Sequence, residues 1–184
     1  MHDPACTIAR GAAVQRNDAS LRLTLTCFRR FVAEMSTAAP VPSNGVLHGN
    51  EHWFPLRVYI EDTDVGGVVY YANYLKFFER ARSDLLRFLG INHREAIENR
   101  LGVYAVVEVK IKYRKPAKLE DDLIVVSRLA QLRGVSLAIE QRVLRGAELL
   151  AEGTVTVAFL STEGRPKRQP DEWLAKFQRL LSSE

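Results

Sequence analysis

The stretch Tyr59–Arg82 of this chain reads YIEDTDVGGVVYYANYLKFFERAR. It begins with β-favouring residues, passes through an acidic segment closed by Gly66 and Gly67, and continues with a helical period. This pattern predicts a strand, a turn and the start of a long helix in immediate succession. Such a junction can bind or stabilise negative charge, because the first amides of a helix lack an intrahelical partner and carry a partial positive charge.

The helix is expected to run from Tyr71 to Leu89 and to end at Gly90, a natural C-cap. At about 100° per residue, its apolar side chains fall on one broad face and its polar side chains oppose them. The apolar face comprises Tyr74, Phe77, Phe78, Ala81, Leu85, Phe88 and Leu89, widened by Leu75 and Leu86. A stripe this wide is expected when a curved sheet wraps the helix.

Segments with a period of two, or rich in β-favouring residues, predict five strands around this helix. They are Leu56–Ile60, Val103–Tyr113, Asp122–Leu132, Val135–Leu144 and Leu149–Leu160. Arg133-Gly134 and Arg145-Gly146 supply tight turns between the last three strands, and a short helix is expected at Arg94–Asn99. A strand, a long helix and then a run of strands predict an α+β fold with a curved, mainly antiparallel sheet.

The two ends of the chain differ from its centre. Residues 36–50 have the Ala, Ser, Pro, Asn and Gly content of a linker, so 1–50 are predicted to be a disordered extension. A true start at Met35 would make 1–34 a mis-started segment, and a targeting segment is the alternative. Residues 51–165 are predicted to be the folded domain, followed by a tail, 166–184. The tail should end in an amphipathic helix, Asp171–Leu181, whose apolar side is Trp173, Leu174, Phe177, Leu180 and Leu181.

Composition excludes several classes of function. Residues 51–160 hold sixteen basic and fifteen acidic side chains, and this near neutrality argues against a nucleic-acid binder. Cys6 and Cys27 are the only cysteines, so neither a disulfide framework nor a zinc ribbon is expected. No apolar run approaches the roughly 20 residues of a membrane span. We therefore expect a cytoplasmic protein without a transmembrane segment.

Asp64 is the main candidate for chemistry because it precedes the two glycines and the helix start. A carboxylate there could act as nucleophile or general base on a carbonyl whose oxygen is held by backbone amides. The same carboxyl group could instead close an Asx turn or cap the helix. Glu61, Asp62 and Asp64 lack the further ligands and the spacing of a metal site, so no metal is expected.

Residues 59–82 resemble the corresponding segment of hot-dog-fold acyl-CoA thioesterases of the Tol–Pal-associated (YbgC-like) type, relatives of 4-hydroxybenzoyl-CoA thioesterase. The resemblance covers nearly all of 53–165 and includes Arg133-Gly134-x-Ser136-Leu137 and Gln141-Arg142 in the second hairpin. It implies a long central helix wrapped by the sheet and hydrolysis of an acyl-CoA thioester to a carboxylic acid and free coenzyme A. It also implies that no cofactor is needed and that homodimers or homotetramers form, with sites at subunit boundaries.

The resemblance implies a role for each matching position. Asp64, the second acid of the Asp-x-Asp motif, is the implied catalytic carboxylate, acting as nucleophile or base. Tyr71 is implied to donate its backbone N–H to the thioester oxygen. Many Tol–Pal-type members have His here, so a mechanism that needs an imidazole at this position does not transfer, whereas the backbone role does. The implied substrate-binding positions are Tyr59, Gly66, Gly67, Tyr70, Arg133 and Ser136.

Glu79 is the alternative catalytic acid, because some other hot-dog thioesterases carry their acid on the central helix. The competing interpretation is a surface carboxylate that pairs with Arg82 or Ser83. A hot-dog dehydratase or hydratase is disfavoured, because such enzymes place a His near the helix and this chain has none between 53 and 92.

Lys110, Lys112 and Arg114 alternate with apolar residues and so share one strand face. This face, like Arg133, could bind the phosphates of coenzyme A, although a solvated strand face explains it equally well. The non-enzymatic alternative to hydrolysis is a module that binds acyl-CoA or acyl-carrier protein and has a cell-envelope partner.

Overall fold

The computed structural model describes residues 44–182. Within them, six strands form one antiparallel sheet: β1 (Val46–His48), β2 (Glu51–Arg57), β3 (Val103–Tyr113), β4 (Asp122–Leu132), β5 (Ser136–Arg145) and β6 (Glu148–Leu160). Their order in space is β1-β2-β4-β5-β6-β3, so β1 and β3 are the edges. The helices are α1 (Asn73–Phe88), α2 (His93–Glu98) and α3 (Asp171–Leu181). The α+β class is confirmed, and the prediction for residues 1–43 lies outside the described part.

The sixth strand arises in a segment that was predicted to be linker. β1 and β2 form a hairpin in which Val46 lies opposite Trp53 and His48 lies opposite Glu51. Gly49 occupies the turn with a φ of 61°, a conformation that glycine adopts without steric cost. The glycine and asparagine at 49–50 are therefore hairpin residues, and the sheet begins before residue 51.

The first predicted strand, Leu56–Ile60, is placed too late. The strand is Glu51–Arg57, and Ile60–Asp62 form a short 3-10 helix. Asp62 Oδ2 accepts a hydrogen bond from the Tyr59 N–H at 3.0 Å, which turns the chain out of the sheet. Local bonding by a short acidic side chain thus overrides β-favouring composition. The other four strands and the three helices agree with the prediction to within about two residues at either end.

α1 packs its buried face against the sheet. Phe77, Phe78 and Ala81 are completely buried, as predicted. Leu75 and Phe88 were also assigned to the apolar face, but they are 40% and 52% exposed. The sheet covers a narrower arc of the helix than the apolar stripe. Register shifts in three strand pairs, of the kind that bend a sheet, mark where its curvature is introduced.

α3 belongs to the same hydrophobic core, although the sequence suggested a separate tail. Trp173 and Phe177 are buried in the core, and the Trp173 ring lies 5.5 Å from that of Phe159. Four of the five predicted apolar side chains of α3 are buried, and Leu181 is the exposed one. Among the described helices, none is long and apolar enough to cross a membrane.

Candidate active site

Asp62 ties the acidic turn to the start of α1. Its side chain is 1% exposed. Its main-chain oxygen accepts hydrogen bonds from the Tyr70 N–H and from Asn73 Nδ2, both at 2.9 Å. Its carboxylate is engaged by the backbone of Tyr59. The first acid of the Asp-x-Asp motif is therefore a structural residue, which holds the two ends of the turn in a fixed relation.

Asp64 lies two residues further on, with an exposed side chain. Oδ1 accepts a hydrogen bond from the Gly66 N–H at 2.7 Å, so the Asx turn that the residues suggested is present. The Asp64 carbonyl accepts from the Gly67 N–H at 3.0 Å, and Gly67 has a φ of 72°, a region that favours glycine. The turn fixes the carboxylate through one oxygen. Among residues 44–182, Oδ2 has no hydrogen-bond partner.

Tyr71 stands immediately before α1, and Ala72 is the N-cap residue. Within the described part of the chain, the N–H groups of Tyr71 and Ala72 have no backbone acceptor. The Tyr71 carbonyl accepts a hydrogen bond from the Tyr113 hydroxyl at 3.1 Å, which steadies this segment. Open amides at a helix start stabilise negative charge on an oxygen. A carboxylate and oxyanion donors therefore come from one short segment.

An aromatic wall borders the start of α1. The Tyr71 ring lies 4.7 Å from that of Tyr70 and 6.2 Å from that of Tyr113, and Tyr74 lies 5.5 Å from Tyr113. These rings flank a cleft of about 230 Å³ that Tyr71, Tyr74 and Tyr113 line. A hydrogen bond with Tyr71 is the main cause that raises the pKa of the Tyr70 phenol. The predicted positions Tyr59 and Tyr70 are both exposed.

Arg133 and Ser136 lie at the opposite end of the sheet from Asp64. The Asp64 turn is held beside the start of β4, since the Val69 N–H donates to the Ala117 carbonyl at 2.9 Å. Arg133 follows the last residue of β4, and its carbonyl accepts from Gln169 Nε2 at 2.8 Å. The ten steps along β4 span about 33 Å at 3.3 Å per residue. One chain therefore does not bring all the predicted site residues together.

Glu79 and the basic strand face are bonded within the chain. Glu79 Oε1 accepts a hydrogen bond from the Ser83 hydroxyl at 2.6 Å on the exposed side of α1. Of the basic face, Lys110 pairs with Glu108 at 3.1 Å and Arg114 pairs with Glu152 at 2.5 Å. These partners reduce the positive charge that the face offers to a phosphate.

Sequence reasoning missed two residues that shape the site. Asn73 is 7% exposed and ties α1 to Asp62, and Tyr113 ties the end of β3 to Tyr71. A polar residue at the first position of an amphipathic helix was the available signal for Asn73. No periodic signal identifies Tyr113, because its partner lies 42 residues away. In the described residues, no group of three or more His, Cys, Asp or Glu is arranged to hold a metal.

Comparison with known proteins shows the family to which this chain is similar. A family model described as the thioesterase-like superfamily matches residues 58–178. The chain is 41% identical over 128 residues to an acyl-CoA thioesterase YbgC of Haemophilus influenzae, covering 69% of this chain and 94% of the relative. It is 35% identical over 127 residues to the acyl-CoA thioester hydrolase YbgC of Escherichia coli, covering 68% and 94%. A solved structure of a probable thioesterase from Bartonella henselae superposes with a TM-score of 0.63 at 37% identity, covering 65% of this chain and 99% of that one.

Proposed function

The chain belongs to the thioesterase-like superfamily and has the hot-dog fold, and on this premise we propose that it hydrolyses acyl-CoA thioesters to a carboxylic acid and free coenzyme A. One observation carries the proposal. Asp64 Oδ2 and the Tyr71 N–H lie on the same short segment, and neither has a hydrogen-bond partner among the described residues. The YbgC relatives, which are named as thioesterases, support the same reaction for this chain.

In the proposed reaction, the thioester oxygen accepts a hydrogen bond from the Tyr71 N–H at the start of α1. Asp64 either removes a proton from the attacking water or attacks the carbonyl carbon itself. In either route the carbon–sulfur bond breaks and the thiolate of coenzyme A takes up a proton. In the second route the acyl group is left on Asp64 as an anhydride, which a water molecule hydrolyses to release the carboxylic acid and restore the Asp64 carboxylate. The helix start stabilises the negative charge of the tetrahedral intermediate on its oxygen. None of these proposed steps uses a metal or a further cofactor.

The proposed active form is a homo-oligomer in which the edge strand β3 of one copy pairs with β3 of a second copy. β3 is an unpaired edge on one side, and it exposes Val106, Val107 and Val109 by 52%, 60% and 37%. An apolar edge of this kind favours pairing with another strand. If two copies pair antiparallel, the Tyr113 end of one β3 meets the Val103 end of the other. The Asp64 turn of one chain would then approach the partner's end that carries Arg133 and Ser136.

The test is a thiol-release assay on short aliphatic, long aliphatic and benzoyl-CoA substrates. Asp64→Asn should reduce kcat/KM by about 100-fold or more, because the amide is neither base nor nucleophile. Glu61→Gln is the matched control: Glu61 is an exposed acid three residues upstream, and this variant should keep wild-type activity.

Two outcomes would overturn parts of the proposal. If Asp64→Asn keeps full activity while Glu79→Gln abolishes it, the catalytic acid lies on α1 instead. If the wild-type protein hydrolyses nothing in the panel, the chain is better explained as a module that binds acyl-CoA or acyl-carrier protein.

A further inference from the structure

The segment 166–170, which leads from β6 towards α3, lies against the connection between β4 and β5. The Lys167 N–H donates to the Phe159 carbonyl at 2.9 Å, which ties this segment to β6. Gln169 follows and is 1% exposed, although glutamine is a residue type found mostly at protein surfaces. Buried amides are hydrogen-bonded, so the partners of Gln169 indicate what it does.

The turn 133–135 joins β4 to β5, and all three of its carbonyl groups accept hydrogen bonds from outside the hairpin. Gln169 Nε2 donates to the Arg133 carbonyl, and the Gln169 N–H donates to the Gly134 carbonyl, both at 2.8 Å. The Phe159 N–H donates to the Val135 carbonyl at 2.8 Å. One buried residue therefore fixes two of the three carbonyl groups of this turn.

Tyr104 sets the orientation of the Gln169 amide. Its hydroxyl donates to Gln169 Oε1 at 2.5 Å, and its ring lies 5.1 Å from that of Phe159 in the core. Burial raises the pKa of the Tyr104 phenol above its ordinary value of 10.0, so the hydroxyl keeps its proton and remains a donor. The Arg133 carbonyl can only accept, so it takes the amide nitrogen. Both ends of the Gln169 amide are thus engaged.

The 133–135 turn carries an arginine whose charge is available. Arg133 is exposed, and in the part of the chain that the structure describes its guanidinium forms no salt bridge. Arg128, on the same strand connection, instead pairs with Glu140 at 2.6 Å. A guanidinium with unused donors suits a phosphate, and a backbone that is already ordered lowers the entropy lost on binding.

We propose that Gln169 is a positioning residue for coenzyme A, which holds the 133–135 turn so that Arg133 is presented to a phosphate of the coenzyme. The inference rests on the proposed function in one respect, namely that the substrate carries coenzyme A. It goes further because it assigns substrate recognition to the segment that follows β6, outside the catalytic turn and the hairpin. Gln169 does not contact the ligand and acts through the backbone of Arg133.

The test is calorimetric titration of the full chain with coenzyme A and, separately, with pantetheine, which lacks the nucleotide and its phosphates. The wild type should bind coenzyme A at least about 10-fold more tightly, because hydrogen bonds between charged groups are the stronger ones. Gln169→Met keeps the length of the side chain and removes its two hydrogen bonds. It should weaken coenzyme A binding by about 5-fold or more and pantetheine binding by less than about 2-fold. Gln178→Met, at an exposed glutamine of α3, is the matched control and should bind both ligands as the wild type does.

A double-mutant cycle shows whether Gln169 acts through Arg133. Arg133→Gln should weaken coenzyme A binding by at least about 10-fold. Adding Gln169→Met to it should weaken binding by less than about 2-fold more, because the guanidinium that the turn positions is gone. A residue that only stabilised the fold would lower the number of binding sites for both ligands and leave the ratio of their Kd values unchanged. If Gln169→Met does not fold, Tyr104→Phe, which keeps the ring and removes the donor to Gln169, takes its place in the cycle.

Four outcomes would overturn the proposal. They are a Gln169→Met variant that binds coenzyme A as the wild type does, an equal loss of affinity for coenzyme A and pantetheine, additive effects of Gln169→Met and Arg133→Gln, and a wild type that does not prefer coenzyme A. No thioester is cleaved in these titrations, so they are independent of the proposed hydrolysis. A chain that binds coenzyme A through Arg133 and hydrolyses nothing would overturn the proposed function alone.

Discussion

Asp62 and Asp64 show how far single residues can be assigned from sequence. Both acids were placed in a turn, and only the structure separates the buried one, which bonds the backbone of Tyr59, from the exposed one. The acidic segment and its glycines predicted the turn, because these residue types close turns through local bonds. Which carboxylate is buried depends on where the chain folds back from Tyr70, and no local pattern encodes that contact.

His52 is a buried histidine on β2. It is completely buried, and its Nε2 lies 3.0 Å from Asp84 Oδ2. The same oxygen accepts from the Gly45 N–H at 2.8 Å. Nδ1 of His52 has no partner among the described residues. The neutral ring therefore donates through Nε2, and burial lowers the pKa of His52 from its ordinary value of 6.5.

This pKa shift predicts that the fold loses stability in mild acid. Below pH 6.5 the His52 imidazole is protonated in the unfolded chain, whereas in the folded chain it stays neutral to a lower pH. The free energy of unfolding should therefore fall as the pH drops from 7 to 5, by up to about 1.4 kcal/mol per pH unit. Urea unfolding across this range measures it. His52→Gln keeps a donor toward Asp84 and should flatten the profile.

His48→Gln is the matched control for this residue, because His48 is exposed on the neighbouring strand. It should leave the pH profile of the free energy of unfolding unchanged. If His52→Gln and the wild type lose stability in parallel, the buried imidazole is not the group responsible.

At the scale of elements, the strongly periodic segments were predicted well and the β1–β2 region was not. The α1, β3 and β4 segments are long, and their apolar residues recur with the period of a helix or of a strand. β2 includes a proline and a fully buried histidine, and β1 is only three residues long. Such elements exist because of their pairing with β4 and with each other, which is tertiary information.

α3 should contribute strongly to stability even though it follows the sheet as a tail in the sequence. Phe177 is 1% exposed and packs in the core, so Phe177→Ala should lower the free energy of unfolding by about 3–5 kcal/mol. Gln178→Ala, an exposed neighbour, should change it by less than about 0.5 kcal/mol. Equilibrium urea unfolding measures both. A loss below about 1 kcal/mol for Phe177→Ala would mean that α3 is not packed on the core in solution.

At the scale of the whole molecule, the predicted site residues divide between the two ends of the sheet. The resemblance assigned both Asp64 and Arg133 to sites at subunit boundaries, and the two residues lie at opposite ends of β4 in a single chain. The order of the strands, and so the distance between Asp64 and Arg133, depends on which strands pair in the sheet. The periodicity of a single strand does not encode that pairing. Pairing with a second copy at the β3 edge, as proposed above, would bring these residues together.

This arrangement predicts that oligomer formation and activity are lost together. Two lysines in place of Val107 and Val109 should disfavour edge pairing through like-charge repulsion and desolvation. The double variant should elute as a single chain in light-scattering chromatography, with kcat/KM lowered by at least about 10-fold because the site is incomplete.

Val46→Lys places a single lysine on the opposite edge, where Val46 is 52% exposed, and it should retain both the oligomer and the activity. A double variant that is a single chain yet fully active would refute the composite site. A wild-type protein that is itself a single chain would refute the β3 interface.

The open amide at the start of α1 belongs to the main chain, and this determines how the position can vary under selection. Every amino acid except proline presents the same N–H at residue 71. A gene library randomised at this codon would therefore preserve the donor in nearly all of its members while exchanging the ring that borders the cleft. Such a position can drift between tyrosine and other side chains, and so adjust what the cleft accepts, without passing through variants that lack the donor.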